Sequence, residues 1–475
     1  MAPSIGKSLN TAWTALSAHQ HATQVAAHNI SNAATEGYTR QRASLVAGVP
    51  LVTPDGVIGS GVRFAGVERY RDVLLDDAIR RETASASMFR TRHELLSRVE
   101  TAFNELSESS FGAILDRFWS SWSALANDPG SASARAVVVQ HGRAVATELN
   151  RLSGELDILR DDTRTRLDSA VAELNQISRS IAELNRQIVA AESGGAVAAD
   201  LRDARDAALD KLAEIGPIQV TERSNGAIGV SLFGVSIVDG STANPIAVQF
   251  DGTTTTLRTE SGSTIHPTEG SVGAMLDVLN REIPSIRARL DELARAIAST
   301  VNTAHAAGTT PRGNPGGDVF DFTGNTDVPA DVTQITAGNI RLAPGIDADP
   351  LNIAAGSGYI DSDGNLHYQA GANDVALAIA GLRDASDPSI LDGSTIGDYF
   401  TTLVQDVGLS ILSASQSATV HETLAAQAEN RRASVSGVSI DEEMIRLIQH
   451  QSAYSAAARV VNAVDEMMQA LLAMV

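Results

Sequence analysis

The sequence predicts a mainly α chain with a small β part: an α+β, multidomain protein built around a long helical bundle. Three observations carry this. Both ends hold residues at helical spacing: Ile5, Leu9, Ala12, Leu16, His19, Thr23, Ala26 and Ile30 step by 4, 3, 4, 3, 4, 3 and 4, and Val461, Val464, Met468, Leu471 and Val475 step by 3, 4, 3 and 4. Alternating steps of three and four draw one narrow stripe on a helix, the seam that packs on a partner helix. Between the ends, helical stripes give way to a period of two and then return. Finally, 43% of the 475 residues are hydrophobic but only 4% aromatic, with small residues abundant, which favours helix packing over aromatic pockets. The length leaves room for roughly two to four domains. Two terminal stripes with nothing local to cover them point to each other, or to neighbouring copies of the chain, as partners.

In order, Ser4 is a candidate N-cap for a first helix running to about Ile30. Gly37, Gly48, Pro50, Pro54, Gly56, Gly59 and Gly61 then break periodicity, so residues 36–70 read as extended and turn-rich. Helices return near 72. Leu95, Val99, Phe103 and Leu106 form one stripe, and 111–126, with Trp119 and Trp122, a second that reads as core. Asp128-Pro129-Gly130 is a turn. Residues 133–159 form a third helical stretch, and Leu167, Val171, Leu174, Ile177, Ile181, Leu184 and Ile188 a fourth, ended by Gly194-Gly195; 200–214 is a shorter helix. The set reads as long antiparallel helices.

The β part is 216–269. Ile218 and Val220 alternate, Asn225-Gly226 turns, and Ile228, Val230 and Leu232 alternate back; Ile246, Val248 and Phe250 precede a second turn at Asp251-Gly252. A long helix follows through Leu276, Leu279, Ile283, Ile286, Leu290, Leu293, Ile297 and Val301, with Asp277–Arg281 and Asp291–Arg295 as supporting pairs and Pro284 as a kink or joint. Residues 306–372, rich in Gly, Pro, Asp and Asn, read as loops with a few strands. Residues 374–382, 396–434 and 440 onward are helical.

Charge and composition exclude several classes. The net charge of −21, from 36 basic and 57 acidic residues, repels nucleic acid and anionic membrane surfaces. Without cysteine there is no disulfide, thiolate zinc site or cysteine nucleophile. The start lacks a basic n-region and an apolar h-region, so no cleaved secretory signal is expected, and no run of 18 apolar residues predicts a membrane span. No Gly-x-Ser-x-Gly, phosphate loop or His-Glu-x-x-His occurs. His19 and His21 point about 200° apart on a helix and cannot share an ion. Asp361-Ser362-Asp363-Gly364-Asn365 begins like a calcium loop, but Leu366 and Ala372 stand where Gly and Glu are needed, so it reads as a turn. No catalytic residue, metal or cofactor is expected.

The run His28-Asn29-Ile30-Ser31-Asn32-Ala33-Ala34-Thr35-Glu36-Gly37-Tyr38-Thr39-Arg40-Gln41 resembles the N-terminal motif of the flagellar rod, hook and hook-associated family. The stretches 436–444 and 451–460 are similar to that family's approach to its last helix, and 111–119 with 125–129 to the helical domain of its hook-associated branch. His28 and Ala34 stand where Asn is usual and Glu36 where Pro is common, and 306–372 leaves little room for a large central β domain.

The resemblance implies a structural protein of the bacterial flagellum, a ring at the junction of hook and filament. Its terminal helices would form an axial coiled coil on assembly and be disordered before it. Implied partners are further copies of the chain, hook protein, a second junction protein towards the filament, and an export chaperone on the C-terminal helix; type III export would carry the chain outside without a cleaved signal. The implied domains are 1–35 with 440–475 as the axial region, 36–215 with 270–439 as the bundle, and 216–269 as the β unit. Candidate assembly residues are Ile5, Leu9, Leu16, Asn29, Ile30, Asn32, Tyr38 and Arg40 at one end, and Met444, Leu447, Tyr454, Val461, Val464, Met468 and Leu471 at the other. Arg40 is expected to pair with a neighbour's carboxylate; the plainer reading of residues 29–41 is a helix cap and a loop. A hook or rod component is the nearest alternative, though those lack the 72–215 helical domain. A secreted hydrolase or an adhesin would need an inserted module that the chain does not contain.

Overall fold

The computed structural model describes residues 2–35, 37–53, 56–103, 110–387 and 390–473. Glu36, Pro54, Leu106 and Val475 lie outside these, as do the side chains of Ser4, Ile5 and Leu471. The helices are α1 (Ala2–Ser31), α2 (Val73–Phe103), α3 (Phe111–Asn127), α4 (Ala132–Glu192), α5 (Ala199–Ile215), α6 (Gly270–Asp277), α7 (Ile283–Ala306), α8 (Pro344–Ala348), α9 (Asp374–Gly381), α10 (Ile396–Ser436) and α11 (Ile440–Leu472). Strands β1 (Gln41–Ala47), β2 (Leu51–Thr53), β3 (Gly56–Ile58) and β4 (Val62–Arg69) join α1 to α2 as two antiparallel pairs, β1–β4 and β2–β3.

The β unit holds two small sheets. Strands β5 (Ile218–Glu222), β6 (Ile228–Leu232), β7 (Val235–Asp239) and β8 (Thr242–Ala243) form a meander, and β9 (Ile246–Phe250), β10 (Thr255–Thr259) and β11 (Thr264–Ile265) a second. Both turns expected from Asn225-Gly226 and Asp251-Gly252 close antiparallel pairs, β5–β6 and β9–β10. Residues 306–372 carry only β12 (Phe320–Phe322) paired with β13 (Ile340–Leu342), and the hairpin β14 (Tyr359–Ile360) with β15 (Leu366–His367), besides short helical turns.

The spine is α4. The two helical stretches expected at 133–159 and 167–188 are one helix of 61 residues, ~90 Å long. No Gly or Pro separates them. Residues 160–166 are charged or hydroxylated, and Arg160 and Arg164 reach back to Asp157 and Asp161, so nothing stops the helix. Ser131 caps its start by accepting from Ala134 N–H. Against α4 pack α3, α5 and the α6–α7 rod, and α2 runs antiparallel to α10, as Asp76–Arg432, Glu82–His421 and Phe103–Phe400 establish. Pro284 marks the expected joint: a π turn at Val278–Glu282 separates α6 from α7, with Pro284 in the first turn of α7. Asp277 pairs with Arg281 as expected, but Asp291 accepts from Ala337 N–H instead.

The core is continuous through the body. It holds two aromatic groups, Phe103 and Phe111 around Phe400, and Trp119, Trp122 and Phe320 around Phe118. Its polar counterpart is a repeated device. Asn29, Asn175, Asn185, Asn280 and Asn302 each accept from the N–H, and donate to the C=O, of one residue: Gln41, Ile246, Ile228, Thr255 and Phe320 respectively. Each of those residues is the first of its strand. A side-chain amide thus stands in for a neighbouring strand, and satisfies a strand end that packing alone would leave unpaired.

Gly270 is held at φ +74°, and a Cβ there would lie 2.2 Å from Ile215 O. Gly270→Ala is expected to cost about 2 kcal/mol or more, because the strain cannot be relieved without parting α5 from α6. A thermal melt checks it.

Candidate assembly interface

Helices α1 and α11 lie antiparallel, with Asn29 beside Glu443 and His19 beside His450. Both terminal segments, expected to gain structure on assembly, are continuous helices here. Their seam is narrower than the predicted stripes. Ala12, Ala18, Ala22, Ala26 and Asn29 are buried on α1, and Glu443, Ala457 and Val464 on α11. Small side chains let the backbones approach, so the alanine row becomes the contact and larger residues fall to its flanks. Leu16 and Ile30 are half-buried, as are Leu447 and Val461, while Leu9 is exposed.

Most of the other large apolar residues described on α11 stay open to solvent. Met444 is 49% exposed, Tyr454 41% and Met468 45%, joined by Ile445, Ile448 and Met467 and by Trp13 on α1. Met444, Ile445 and Ile448 point away from Val461 and Val464, whereas Tyr454 and Met468 lie on the same side of α11 as these valines and are left uncovered there.

Where α1 ends, a buried polar corner ties both helices to the body. Asn29 is fully buried. Its Nδ2 donates to Gln41 O (2.7 Å) and Glu443 Oε2 (2.9 Å), and its Oδ1 accepts from Gln41 N–H (3.0 Å) and the Tyr38 hydroxyl (2.8 Å). Burial, then the carboxylates of Asp200, Asp203 and Glu443, push the Tyr38 phenol well above its ordinary pKa. Arg40 donates from Nε to Glu443 (2.8 Å) and from a terminal nitrogen to Glu442 (2.6 Å), while its backbone N–H reaches Ser436 O. Glu442 and Glu443 sit in the first turn of α11, where the helix dipole favours acids. This corrects the expectation that Arg40 meets a neighbour's carboxylate: its own chain supplies both. Asn32 donates to His28 O, the plainer helix-cap role.

The corner continues into the bundle as alternating charges. Thr39 donates twice to Asp203; Arg69 bridges Asp203 and Asp206 (2.5 and 2.6 Å); Arg71 bridges Asp206 and Asp76; Arg432 joins Asp76 to Asp210, which also pairs with Arg80. Burial raises the Asp203 carboxyl although Arg69 and Thr39 draw it down. Gln41 Nε2 adds a bond to Asp200. Sequence reasoning missed this network, whose one visible sign is the run Asp441-Glu442-Glu443 opening the last helix.

Trp119 and Trp122 are core, as expected. Asp361 spends its carboxylate on Asp363 N–H, Asn365 N–H and His367 within the β14–β15 hairpin, which holds it well below the usual carboxylate range. Among the described residues no three His, Asp or Glu side chains gather to hold a metal ion, and no helix is long and apolar enough to cross a membrane.

Three family models match the chain: a flagellar hook-associated protein FlgK helical domain over residues 96–320, a flagellar basal body rod FlgEFG protein C-terminal region over 431–474, and a flagella basal body rod protein over 9–39. Flagellar hook-associated protein 1 of Bacillus subtilis is 32% identical over 98% of this chain and 97% of its own length. The protein of the same name from Salmonella typhimurium is 26% identical over 98% and 99%. Among solved structures, the flagellar hook junction protein FlgK from Burkholderia pseudomallei aligns with a TM-score of 0.65 at 17% identity, covering 76% of this chain and 100% of that one. At that identity the likeness speaks to the fold.

Proposed function

This chain belongs to the flagellar hook-associated protein 1 family, structural proteins of the bacterial flagellum, and from that premise we propose that it forms the junction ring between hook and filament by self-assembly through its terminal helices. The observation that carries this reading is the uncovered face of α11. Met444, Ile445 and Ile448 leave apolar surface on the side of α11 turned away from α1, and Tyr454, Met467 and Met468 leave more on its flanks and beyond the seam. A monomer gains nothing from such a surface, and an assembly buries it.

In this reading α1 and α11 act as one axial unit, 1–35 with 440–475, held to the bundle by the polar corner and ordering fully in the ring. The bundle, 36–215 with 270–439, carries the β unit of 216–269 outward. Leu9, Trp13, Met444, Tyr454 and Met468 meet neighbouring copies, while Asn29, Tyr38 and Arg40 set the angle between axial unit and bundle. Hook protein binds on one side of the ring and a second junction protein on the other. An export chaperone covers α11 before the chain leaves the cell. The role is structural, not catalytic.

Met468→Asp tests it. The side chain is nearly half exposed, so the monomer's melting temperature should stay within about 1 °C of wild type while filament attachment in a complemented strain is lost. A large fall in monomer stability, or unchanged attachment, would overturn the assignment of this face to assembly.

A further inference from the structure

The seam between α1 and α11 contains one pair of groups that helix packing does not require. His19 and His450, 431 positions apart in sequence, face each other with Nδ1 atoms 3.4 Å apart, ring centroids 5.6 Å apart and planes inclined by 35°. Both rings are half-buried, and among the described residues neither ring has a second hydrogen-bond partner. Two neutral imidazoles that meet through the same nitrogen can share one proton between them, as a single N–H···N bond.

From this geometry we infer that His19 and His450 form a two-histidine site for a borderline divalent ion, Zn²⁺ or Cu²⁺, that ties the first helix of the chain to the last. Two imidazole nitrogens bound at about 2.0–2.1 Å with a tetrahedral angle between them lie about 3.4 Å apart, the separation found here. Imidazole is the ligand such ions prefer when no thiolate is present, and this chain has no cysteine. Of the nearby charges, Arg446 opposes a cation, while Glu443 favours one but is already spent on Asn29 and Arg40. Water from the open flank completes the coordination. His21 takes no part, because it stacks on Phe64 of β4 at 4.7 Å between centroids.

The consequence is mechanical. The α1–α11 seam is a row of alanines with little area per turn, and an ion bonded to both helices at its middle resists their separation. It would stabilise the paired form of the axial unit wherever free transition metal is present.

The test uses the full chain, stripped of metal and titrated with Zn²⁺ by calorimetry, with Cu²⁺ as a spectroscopic probe of nitrogen ligation. One ion should bind per chain, and hydrogen exchange across residues 12–26 and 446–457 should slow when Zn²⁺ is added. His19→Gln and His450→Gln should each weaken binding by about tenfold or more and abolish the slowing, whereas His21→Gln should leave both intact. Binding that survives both His19→Gln and His450→Gln, or a wild-type chain whose exchange in these segments ignores Zn²⁺, overturns the site.

Discussion

Asn29→Ala should release both terminal helices from the body while leaving the bundle folded. The side chain makes four hydrogen bonds in a fully buried position, and Ala replaces none of them. Gln41 then loses partners for both its N–H and its C=O at the start of β1, and the Tyr38 hydroxyl loses its acceptor. Each orphaned buried group costs about 1–3 kcal/mol, so the corner should lose about 3 kcal/mol or more. The helices of the bundle share none of these bonds. The loss should therefore appear as hydrogen exchange and protease cleavage in residues 2–31 and 440–472, with α4 and α7 protected as in wild type. Asn29→Asp should be worse, because a carboxylate oxygen would face Glu443 Oε2 where an N–H now donates at 2.9 Å. Glu443→Gln should be milder, since Arg40 keeps Glu442. If α11 exchanges no faster in Asn29→Ala, the corner does not hold the ends and the alanine seam alone does.

This corner also marks how far the sequence could be read. Periodicity placed the long helices, although it cut α4 in two, because burial of one face imposes a spacing that survives any change in neighbours. The hairpins at Asn225-Gly226 and Asp251-Gly252 were equally plain, since their turn chemistry is local. Features that required knowing what lies opposite were missed, the amide staples first among them. Asn175, Asn185 and Asn302 fall on helices whose apolar stripes were correctly drawn, with Asn175 and Asn185 beside Leu174 and Ile181 on α4. An Asn on a buried helical face is disfavoured by propensity and by desolvation alike, and is stable there only when its amide is fully paired. Polar residues interrupting an apolar stripe were the available sign of strands docking end-on. The split of α4 failed for the opposite reason. A lapse in apolar spacing was read as a break, although residues 160–166 contain nothing that stops a helix. Arg40 was assigned to a neighbour because its carboxylates lie more than 400 residues away, a pairing that only the joined ends of the chain reveal.

The second large effect is an acid-side loss of stability centred on His305. The ring is fully buried at the end of α7, edge-on to Trp122 at 6.1 Å between centroids. Its Nε2 accepts from Ala354 N–H at 2.8 Å, so the proton sits on Nδ1, which donates to Gly317 O at 2.5 Å. One imidazole thus staples the 308–317 loop and residues 353–355 to the bundle, in its neutral form. Burial depresses the pKa from 6.5 to about 4, the bond to Gly317 offsetting part of that. Above pH 6.5 neither the folded nor the unfolded chain protonates this group, so its contribution does not vary. As pH falls from 6.5 towards 4 the unfolded chain takes up the proton and the folded chain refuses it, so stability drops by about 1.4 kcal/mol per unit and by about 3 kcal/mol in all. Below about 4 both states carry it and the slope vanishes. Denaturant unfolding of the helical domain at pH 7, 6, 5 and 4.5 measures the decline. His305→Gln, which retains an acceptor towards Ala354 but cannot titrate, should be less stable than wild type at pH 7 and should fall less steeply below 6.5. Parallel curves for the two proteins would mean that the acid sensitivity of the bundle arises from its buried carboxylates and not from this ring.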